Sequence, residues 1–166
     1  MAPDLRLSVA DFAYLMVAVS DNIASNVLLD VVGLDAVKAT IAALGLPRLQ
    51  LNRRFLGRAP EPGDPENYAS AGDLAALLAA IAENRAASPA ACAAMRGTLA
   101  LQQDRDRLAR RLPDGVAFGG KSGSLPGIVH DCGLIDAPGG TVAVAVLTRG
   151  FADEQAAREL IGQIAL

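Results

Sequence analysis

Three consecutive polar residues, Ser20, Asp21 and Asn22, interrupt an otherwise apolar run early in the chain. A hydroxyl can relay a proton, a carboxylate can accept hydrogen bonds, and an amide can donate and accept them at once. Such a set can serve chemistry on a polar substrate. Asp and Asn are also good helix N-caps, so the same residues can simply end one helix and begin the next. The tripeptide alone does not decide between these interpretations.

A second polar segment, KSGS, follows far downstream at residues 121–124. Lys121 supplies a positive charge and Ser122 a hydroxyl donor, while Gly123 lets a ligand approach the backbone closely. The backbone N–H of Ser124 could point at a developing oxyanion. This combination suits a substrate with a carboxylate beside an acyl carbonyl. The structural alternative is a bulged edge strand with a solvated lysine.

In this chain SDN precedes KSG. The second and third motifs of serine β-lactamases and penicillin-binding proteins, SDN and K[S/T]G, follow in the same order. The chain resembles the class A β-lactamases of this family from just before Ser20 to its end, since flanks such as SDNIASNVLLDVVG and LQQDRDRLARRLP are also similar. The resemblance implies that Ser20 relays a proton to the leaving nitrogen, and that Lys121 holds Ser20 and attracts the substrate carboxylate. It implies a structural role for Asp21. The implied substrate-binding residues are Asn22, Ser122, Gly123 and Ser124.

The family's nucleophile, the serine of an S-x-x-K motif, is missing from these 166 residues. None of the seven serines is followed by a lysine three positions later. We therefore expect a serine β-lactam hydrolase fragment that is inactive alone and uses an acyl-serine mechanism without a cofactor. The alternatives are a non-catalytic remnant or binding module that retains the carboxylate-binding half-site, and a fragment of a penicillin-binding or esterase-like relative. A weaker hypothesis makes Ser20 the nucleophile and Lys121 its base, since Ser–Lys pairs are a known type of activated nucleophile.

The long, proline-rich segment at residues 46–70 resembles the active-site loop of the family. Arg53 stands in the place of the loop arginine, which puts Phe55 at or near the glutamate that activates water for deacylation. Glu61 and Glu66 lie further along the loop and match that position less well. A complete parent protein with this loop is then expected to be either a poor β-lactamase or a penicillin-binding or esterase-like relative that is acylated and turns over slowly.

Helical periodicity runs to Pro113, and the last third changes to β-branched runs separated by LPG and APGG. Capping patterns predict helices at residues 9–19, 22–32, 34–44, 71–85 and 89–103. The later runs predict an antiparallel meander followed by an amphipathic helix, whose Leu160, Ile161, Ile164 and Leu166 would cover one sheet face. The fold class is therefore α+β, an incomplete β-lactamase or transpeptidase-like fold. Its predicted parts are a mainly helical subdomain, residues 1–113, and a three-stranded sheet with a C-terminal helix, residues 114–166.

Composition argues against several other classes of protein. The chain has 15 basic and 18 acidic residues and no basic stripe, so we expect no nucleic-acid partner. The longest apolar stretch, residues 12–19, is too short to span a bilayer, and no signal peptide or membrane partner is expected. Cys92 and Cys132 lack neighbours at metal-ligand spacing, so we expect free thiols and no metal site, although one disulfide is the alternative. By resemblance alone, the location is periplasmic or secreted.

The resemblance also predicts that the fold is incomplete. In the family, further strands pair with the strand predicted at residues 141–149, and the nucleophile-bearing helix fills the middle of the helical part. Without them that strand is an unpaired apolar edge, and the apolar segment 12–19 lacks a partner. We therefore expect a chain that is unstable alone, or that is completed by a second copy or a missing N-terminal segment. The expected small-molecule partner is a β-lactam or a related acyl substrate.

Overall fold

A computed structural model describes residues 6–56 and 61–165 of the chain. Within these residues it contains helices α1 (Val9–Ala18), α2 (Asn22–Val32), α3 (Leu34–Ala43), α4 (Ala71–Ala82), α5 (Pro89–Ala100) and α6 (Glu154–Ile164), a 3₁₀ turn (Leu108–Arg111), and strands β1 (Ala117–Leu125), β2 (Ile128–Ala137) and β3 (Gly140–Arg149). The predicted α+β class and the antiparallel meander are confirmed, since the strand order is β1-β2-β3. The division into two subdomains at residue 113 stays a prediction.

Side-chain caps explain where the first helices begin. Ser8 and Asp11 form a reciprocal capping box on α1, with Asp11 N–H donating to Ser8 Oγ at 3.2 Å and Ser8 N–H to the Asp11 carboxylate at 2.7 Å. Asp21 caps α2 by accepting from the Ala24 N–H at 2.6 Å. The break in the apolar run is therefore the junction between two helices, and Ser20 lies at that junction.

Glycines in β1 and β2 allow the Phe118 ring to pack on one face of the sheet and helix α5 to pack on the other. The ring of Phe118 lies so close to the opposed pair Gly120 and Gly133 that a Cβ on either would stand 2.5 Å from ring carbon atoms. On the other face, a Cβ on Gly119 would stand 2.9 Å from the backbone nitrogen of Ala100 in α5. Because real Cβ atoms do not approach this closely, the packing that holds the KSGS segment depends on these glycines.

The buried core beneath the sheet is formed by the 3₁₀ turn, the strands and α6, through Leu108, Phe118, Val129, Ile135, Ala157 and Ile161. The prediction for α6 is correct for Ile161, which is fully buried, and wrong for Leu160 and Ile164, which are 41% and 53% exposed. The helix instead buries Ala157 together with Ile161, one turn apart on the same face. Leu166 lies outside the described residues.

Apolar surface remains open on the helical side and along the sheet. In the described part of the chain β3 pairs only with β2, so its outer edge has no partner strand. Large apolar residues with more than half of their surface exposed include Ile23 at 74%, Val31 at 65% and Val9 at 62%. Exposed apolar residues that form one contiguous patch mark a surface that meets another segment or molecule. None of the described helices has the length and apolar character needed to cross a bilayer.

Candidate functional site

The centre of the candidate site is a hydrogen bond between the two residues predicted to be catalytic. Nζ of Lys121 donates to Oγ of Ser20 at 2.7 Å and to the backbone oxygen of Ser122 at 2.6 Å. Ser20 and Lys121 are 101 positions apart in the sequence, so the fold brings the two motifs together. Ser20 has a φ of 59°, a left-handed conformation that is rare for residues other than glycine and typical of functional sites.

Backbone hydrogen bonds hold the junction that carries Ser20. The Asp21 N–H donates to the carbonyl of Leu15 at 3.0 Å, and the Gln103 N–H donates to the carbonyl of Ala18 at 3.1 Å. The second bond ties the end of α1 to the segment that follows α5. With the Asp21 side chain capping α2, these bonds fix the Ser20 hydroxyl close to β1.

Lys121 is partly buried and has no anionic partner among the described residues. Burial is the main cause that lowers the pKa of its amine, and the charge of Arg107 adds to this, whereas Cys132, Asp131 and Asp104 oppose the shift. An anionic ligand close to the amine would oppose it further. Cys132 lies opposite Lys121 in the β1–β2 register and donates from Sγ to the Lys121 carbonyl at 3.5 Å. Burial raises the pKa of this thiol to about 11, which keeps it protonated and unreactive.

The four residues predicted to bind substrate are each within three positions of Ser20 or Lys121 in the sequence. Asn22 is the first residue of α2 and is exposed, and its side chain bonds to no other described residue. A Cβ on Gly123 would meet no atom within 4 Å, so the space beside the strand is open at this point. The hydroxyl of Ser122 accepts from Gln102 Nε2 at 3.4 Å, and that of Ser124 accepts from a buried arginine.

That arginine, Arg107, was not predicted to belong to the site. The DRDRLARR segment predicts a solvated helix face, which is correct for Arg110 but wrong for Arg107, of which only 3% is exposed. The reason is local geometry, because the segment forms a single 3₁₀ turn after a non-helical Arg107. Gln102 was missed in the same way and is 4% exposed. The only sequence signal for Arg107 is Asp104 three residues earlier, its ion-pair partner at 3.0 Å.

Asp131 is a buried carboxyl directly behind the site. It is 1% exposed, and its Oδ2 accepts from the Leu108 N–H at 3.1 Å, while Oδ1 has no partner among the described residues. Burial raises its pKa to about 6 against an ordinary 3.8, although the Leu108 bond and the charge of Arg107 oppose the shift. The folded state therefore binds this proton more tightly than the unfolded state does.

We expect this carboxyl to make stability depend on pH. Because its pKa is higher in the folded state, its contribution is complete below pH 3.8 and is lost as the pH rises through about 6. The free energy of unfolding should therefore fall by about 2–3 kcal/mol over that range from this group. Denaturant titrations of the wild type and of Asp131→Asn at several pH values measure the effect. The variant should lose this slope, whereas Asp136→Asn, an exposed change on the same strand, should keep it.

His130 and the two cysteines have no contacts among the described residues that suggest a catalytic role. Nδ1 of His130 accepts from the Thr148 N–H at 3.1 Å, so this histidine has a structural partner. Cys92 and Cys132 are both free thiols. The described residues contain no group of three or more side chains that could hold a metal ion.

The family model described as the β-lactamase enzyme family matches residues 1–166. The chain belongs to this β-lactamase family. No functionally curated protein matches it. The match confirms the resemblance that was inferred from the SDN and KSGS motifs and their flanks.

Solved structures show the same family in three dimensions. The β-lactamase of Sphaerobacter thermophilus DSM 20745 is 44% identical with a TM-score of 0.92, over 97% of this chain and 62% of that one. An ancestral class A β-lactamase, GNCA, is 27% identical with a TM-score of 0.85, over 96% and 64%. PBP-A is 25% identical with a TM-score of 0.84, over 99% and 61%. The chain therefore spans less than two thirds of the β-lactamase-family structures it resembles.

The loop of this β-lactamase-family chain is fixed around Phe55. Asn26 of α2 holds both sides of its backbone, accepting from the Phe55 N–H and donating to its carbonyl, each at 2.9 Å. Arg53 forms an ion pair with Glu66 at 2.6 Å, and Glu66 also accepts from the Asn67 N–H at 2.7 Å. Glu66 is thus held by two contacts within the loop, and Phe55 lies at or near the position that the resemblance predicts for the deacylation glutamate.

An apolar cavity of about 660 Å³ adjoins Phe55, and its walls also include Val32, Ile41, Leu77 and Leu147. It lies between α2, α3, the loop, α4 and the sheet. The cavity is open to the surface, and its volume lies within the range of ordinary ligand clefts.

Proposed function

We propose that this chain supplies the carboxylate- and oxyanion-binding half of a serine acyl hydrolase for β-lactams or related acyl substrates. The observation that carries the proposal is the 2.7 Å hydrogen bond between Lys121 and Ser20. It joins a proton-relaying hydroxyl to a cation that has no anionic partner among the described residues. A ligand carboxylate near Lys121 and Ser122 would bring a neighbouring acyl group close to Ser20.

The proposed reaction is acyl transfer to a serine that residues outside these 166 supply. Attack of that serine oxygen on the lactam carbonyl forms the C–O bond, and the carbonyl oxygen gains negative charge that the Ser124 N–H stabilises. The C–N bond then breaks, and Ser20 passes its proton to the leaving nitrogen while Lys121 stabilises the oxygen that has lost it. A base in the completing segment takes the serine proton and returns it to Ser20. Asn22 is proposed to bind the substrate amide.

Completion of the fold is part of the proposal. The unpaired edge of β3 and the exposed apolar helix residues support it, because such edges and apolar surfaces are often covered by a further segment. A second copy could shield these surfaces, but it would bring no S-x-x-K motif because the sequence contains none. We therefore propose that a segment outside this sequence completes both the fold and the site. By family membership the completed enzyme would act in the periplasm or after secretion.

The half-site is tested by titrating the ¹⁵N-labelled chain with penicillin G and following backbone amide shifts by NMR. The expected result is saturable shifts at Ser122, Ser124 and Asn22. The methyl ester of penicillin G, which lacks the carboxylate charge, is the control and should bind more weakly. Equal binding of acid and ester, or shifts absent from these three amides, would contradict the proposal.

Phe55 favours a second candidate function that uses the same acylation step. This is a penicillin-binding-like protein whose acyl-enzyme is hydrolysed slowly. A mutant of the related PBP-A has been solved as an acyl-enzyme complex with penicillin G. In this chain, Asn26 holds the backbone of Phe55, at or near the position where the resemblance predicts a water-activating carboxylate. The completed enzyme would then acylate readily and release product slowly.

Phe55→Glu should speed deacylation in a completed enzyme. The test joins this chain to the part of the Sphaerobacter thermophilus β-lactamase that it does not span, and follows the decay of the penicillin acyl-enzyme by mass spectrometry. Because a positioned general base contributes 10²–10⁴-fold, we expect release about 100-fold faster than with Phe55. Leu56→Glu is the matched control, since it adds the same charge at the neighbouring exposed position. Equal rates for the two variants would reject Phe55 as the base position, and a chimera that is folded but never acylated would favour a non-catalytic remnant.

A further inference from the structure

We propose that Gln102 is a positioning residue that orients the hydroxyl of Ser122 so that its proton faces the substrate carboxylate. The inference rests on the proposed function, because that function places a ligand carboxylate beside Lys121 and Ser122. Gln102 is 4% exposed, so its amide lies behind the site and not in it. Its effect on a ligand would pass through Ser122, which it contacts directly.

Two hydrogen bonds fix which way the amide of Gln102 faces. Its Oε1 accepts from the backbone N–H of Asp104 at 3.3 Å, and its Nε2 donates to Oγ of Ser122 at 3.4 Å. A backbone N–H can only donate, so the end of the amide beside Asp104 must be the oxygen. The end beside Ser122 is therefore the nitrogen, which carries two protons and accepts no hydrogen bond.

The direction of this contact decides where the Ser122 proton points. A serine hydroxyl has one proton and two lone pairs, and Ser122 uses the lone pair that faces Nε2 to accept. The proton must therefore point away from Gln102. Because Ser122 is partly exposed while Gln102 is buried, that direction is the open one. Within the described residues the hydroxyl donates to no acceptor, which leaves its proton available to a carboxylate.

Backbone contacts hold Gln102 between the two motifs of the site. The Gln102 N–H donates to the carbonyl of Leu99 at 3.2 Å, and the Gln103 N–H donates to the carbonyl of Ala18 at 3.1 Å. Ala18 is the last residue of α1, two positions before Ser20. The same short segment is thus bonded to the end of α1 through its backbone and to β1 through the Gln102 side chain. The amide therefore approaches Ser122 from a fixed position.

A purely structural role for Gln102 makes a different prediction. If the amide only fills space and satisfies its own hydrogen bonds, its replacement changes stability and leaves the Ser122 proton where it was. Gln102→Glu separates the two cases, because a carboxylate has nearly the shape of the amide and can still accept from the Asp104 N–H. Toward Ser122 a carboxylate accepts where the amide donated, so the hydroxyl proton would turn inward, away from a ligand.

The test is a double-mutant cycle on the dissociation constant of penicillin G, measured from amide shifts at Asn22 and Ser124 of the full chain. We expect Gln102→Glu to weaken binding about 10-fold more in the wild-type background than in Ser122→Ala, because loss of a hydrogen bond to a charged group has an effect of that order. Repulsion by the added charge would be equal in both backgrounds. Gln103→Glu is the matched control, since it adds the same charge at the adjacent exposed position and should show no such difference.

The cycle has one outcome that overturns the inference, which is an equal loss of affinity in the two backgrounds. Where Gln102→Glu does not fold, Gln102→Met decides in the same cycle, because it removes the donor without adding a charge. A freed hydroxyl proton distributes over three staggered positions, so the expected difference between the backgrounds is about threefold. The absence of that difference also overturns the inference.

A measurement without ligand separates this inference from the proposed function. If penicillin G shifts no amide of the wild type, the proposed function fails, while the side-chain amide protons of Gln102 still report the contact with Ser122. We expect Ser122→Ala to shift these proton signals and Ser124→Ala, the same change two positions along β1, to leave them in place. A shift in Ser122→Ala alone supports the inference, and equal shifts in both variants, or none, overturn it.

Discussion

Lys121→Met is expected to weaken binding of penicillin G by about 10- to 100-fold, because a hydrogen bond to a charged group contributes about 1.5–3 kcal/mol. Lys121 is the cation that holds Ser20 and has no anionic partner among the described residues. Methionine keeps the length and apolar stem of the side chain, so the change removes mainly the charge and its hydrogen bonds. The measurement is the dissociation constant from amide shifts at Asn22 and Ser124.

The pH dependence of penicillin G binding tests whether Lys121 is the group responsible. Burial lowers the pKa of Lys121, so the ammonium form is lost at a lower pH than for an ordinary lysine. Affinity of the wild type should therefore decrease as the pH rises through that lowered pKa, and Lys121→Met should show no such decrease. Lys38→Met is the control, because Lys38 is the only other lysine and lies exposed on α3. Loss of binding in both variants, or in neither, would contradict the role given to Lys121.

Gly133→Ala is expected to lower the free energy of unfolding by about 2–4 kcal/mol, because an added methyl group has no room to enter this packed site. Its Cβ would stand 2.5 Å from Cε2 of Phe118 and 2.7 Å from the backbone oxygen of Gly119. The ring can turn or shift, but the carbonyl belongs to the neighbouring strand and moves only with it. The measurement is the midpoint and slope of urea unfolding.

A second glycine provides the matched control for that substitution. Gly97 lies inside α5, and a Cβ there would meet no atom within 4 Å, so Gly97→Ala should stabilise the chain by about 0.5–1 kcal/mol. Adding Phe118→Leu to Gly133→Ala should recover part of the loss by removing the ring. If both alanine variants unfold at the same urea concentration, the close packing of Phe118 on the glycines is not what holds β1 against β2.

Local chemistry made most of the fold predictable from the sequence. The serine and aspartate caps set the starts of α1, α2 and α4, and the Gly- and Pro-containing joints gave the hairpins. The last helix was predicted less well, because Ala157 is too small to appear as an anchor, yet it packs fully against the core. The exposed Leu160 and Ile164 show that apolar spacing alone does not decide which helix face meets a sheet.

The candidate site was predictable only where a motif carried it. Ser20 and Lys121 stand in short segments whose order along the chain is informative, and the structure places them 2.7 Å apart. Arg107 and Gln102 gave no comparable signal, since each acts on β1 from a segment whose path depends on tertiary packing. In an arginine-rich segment, the sequence alone does not indicate which arginine is buried. The catalytic roles themselves stay proposals.

The central claim is that these residues form a half-site without a nucleophile, and the intact mass of the folded chain after incubation with penicillin G tests it most directly. Folding is checked on the same sample by its amide spectrum. We predict that the mass stays unchanged while penicillin G binds reversibly at Ser122 and Ser124. A stable increase by the mass of one penicillin G would contradict the account, because it would place a working nucleophile within this sequence and make Ser20 the first residue to substitute.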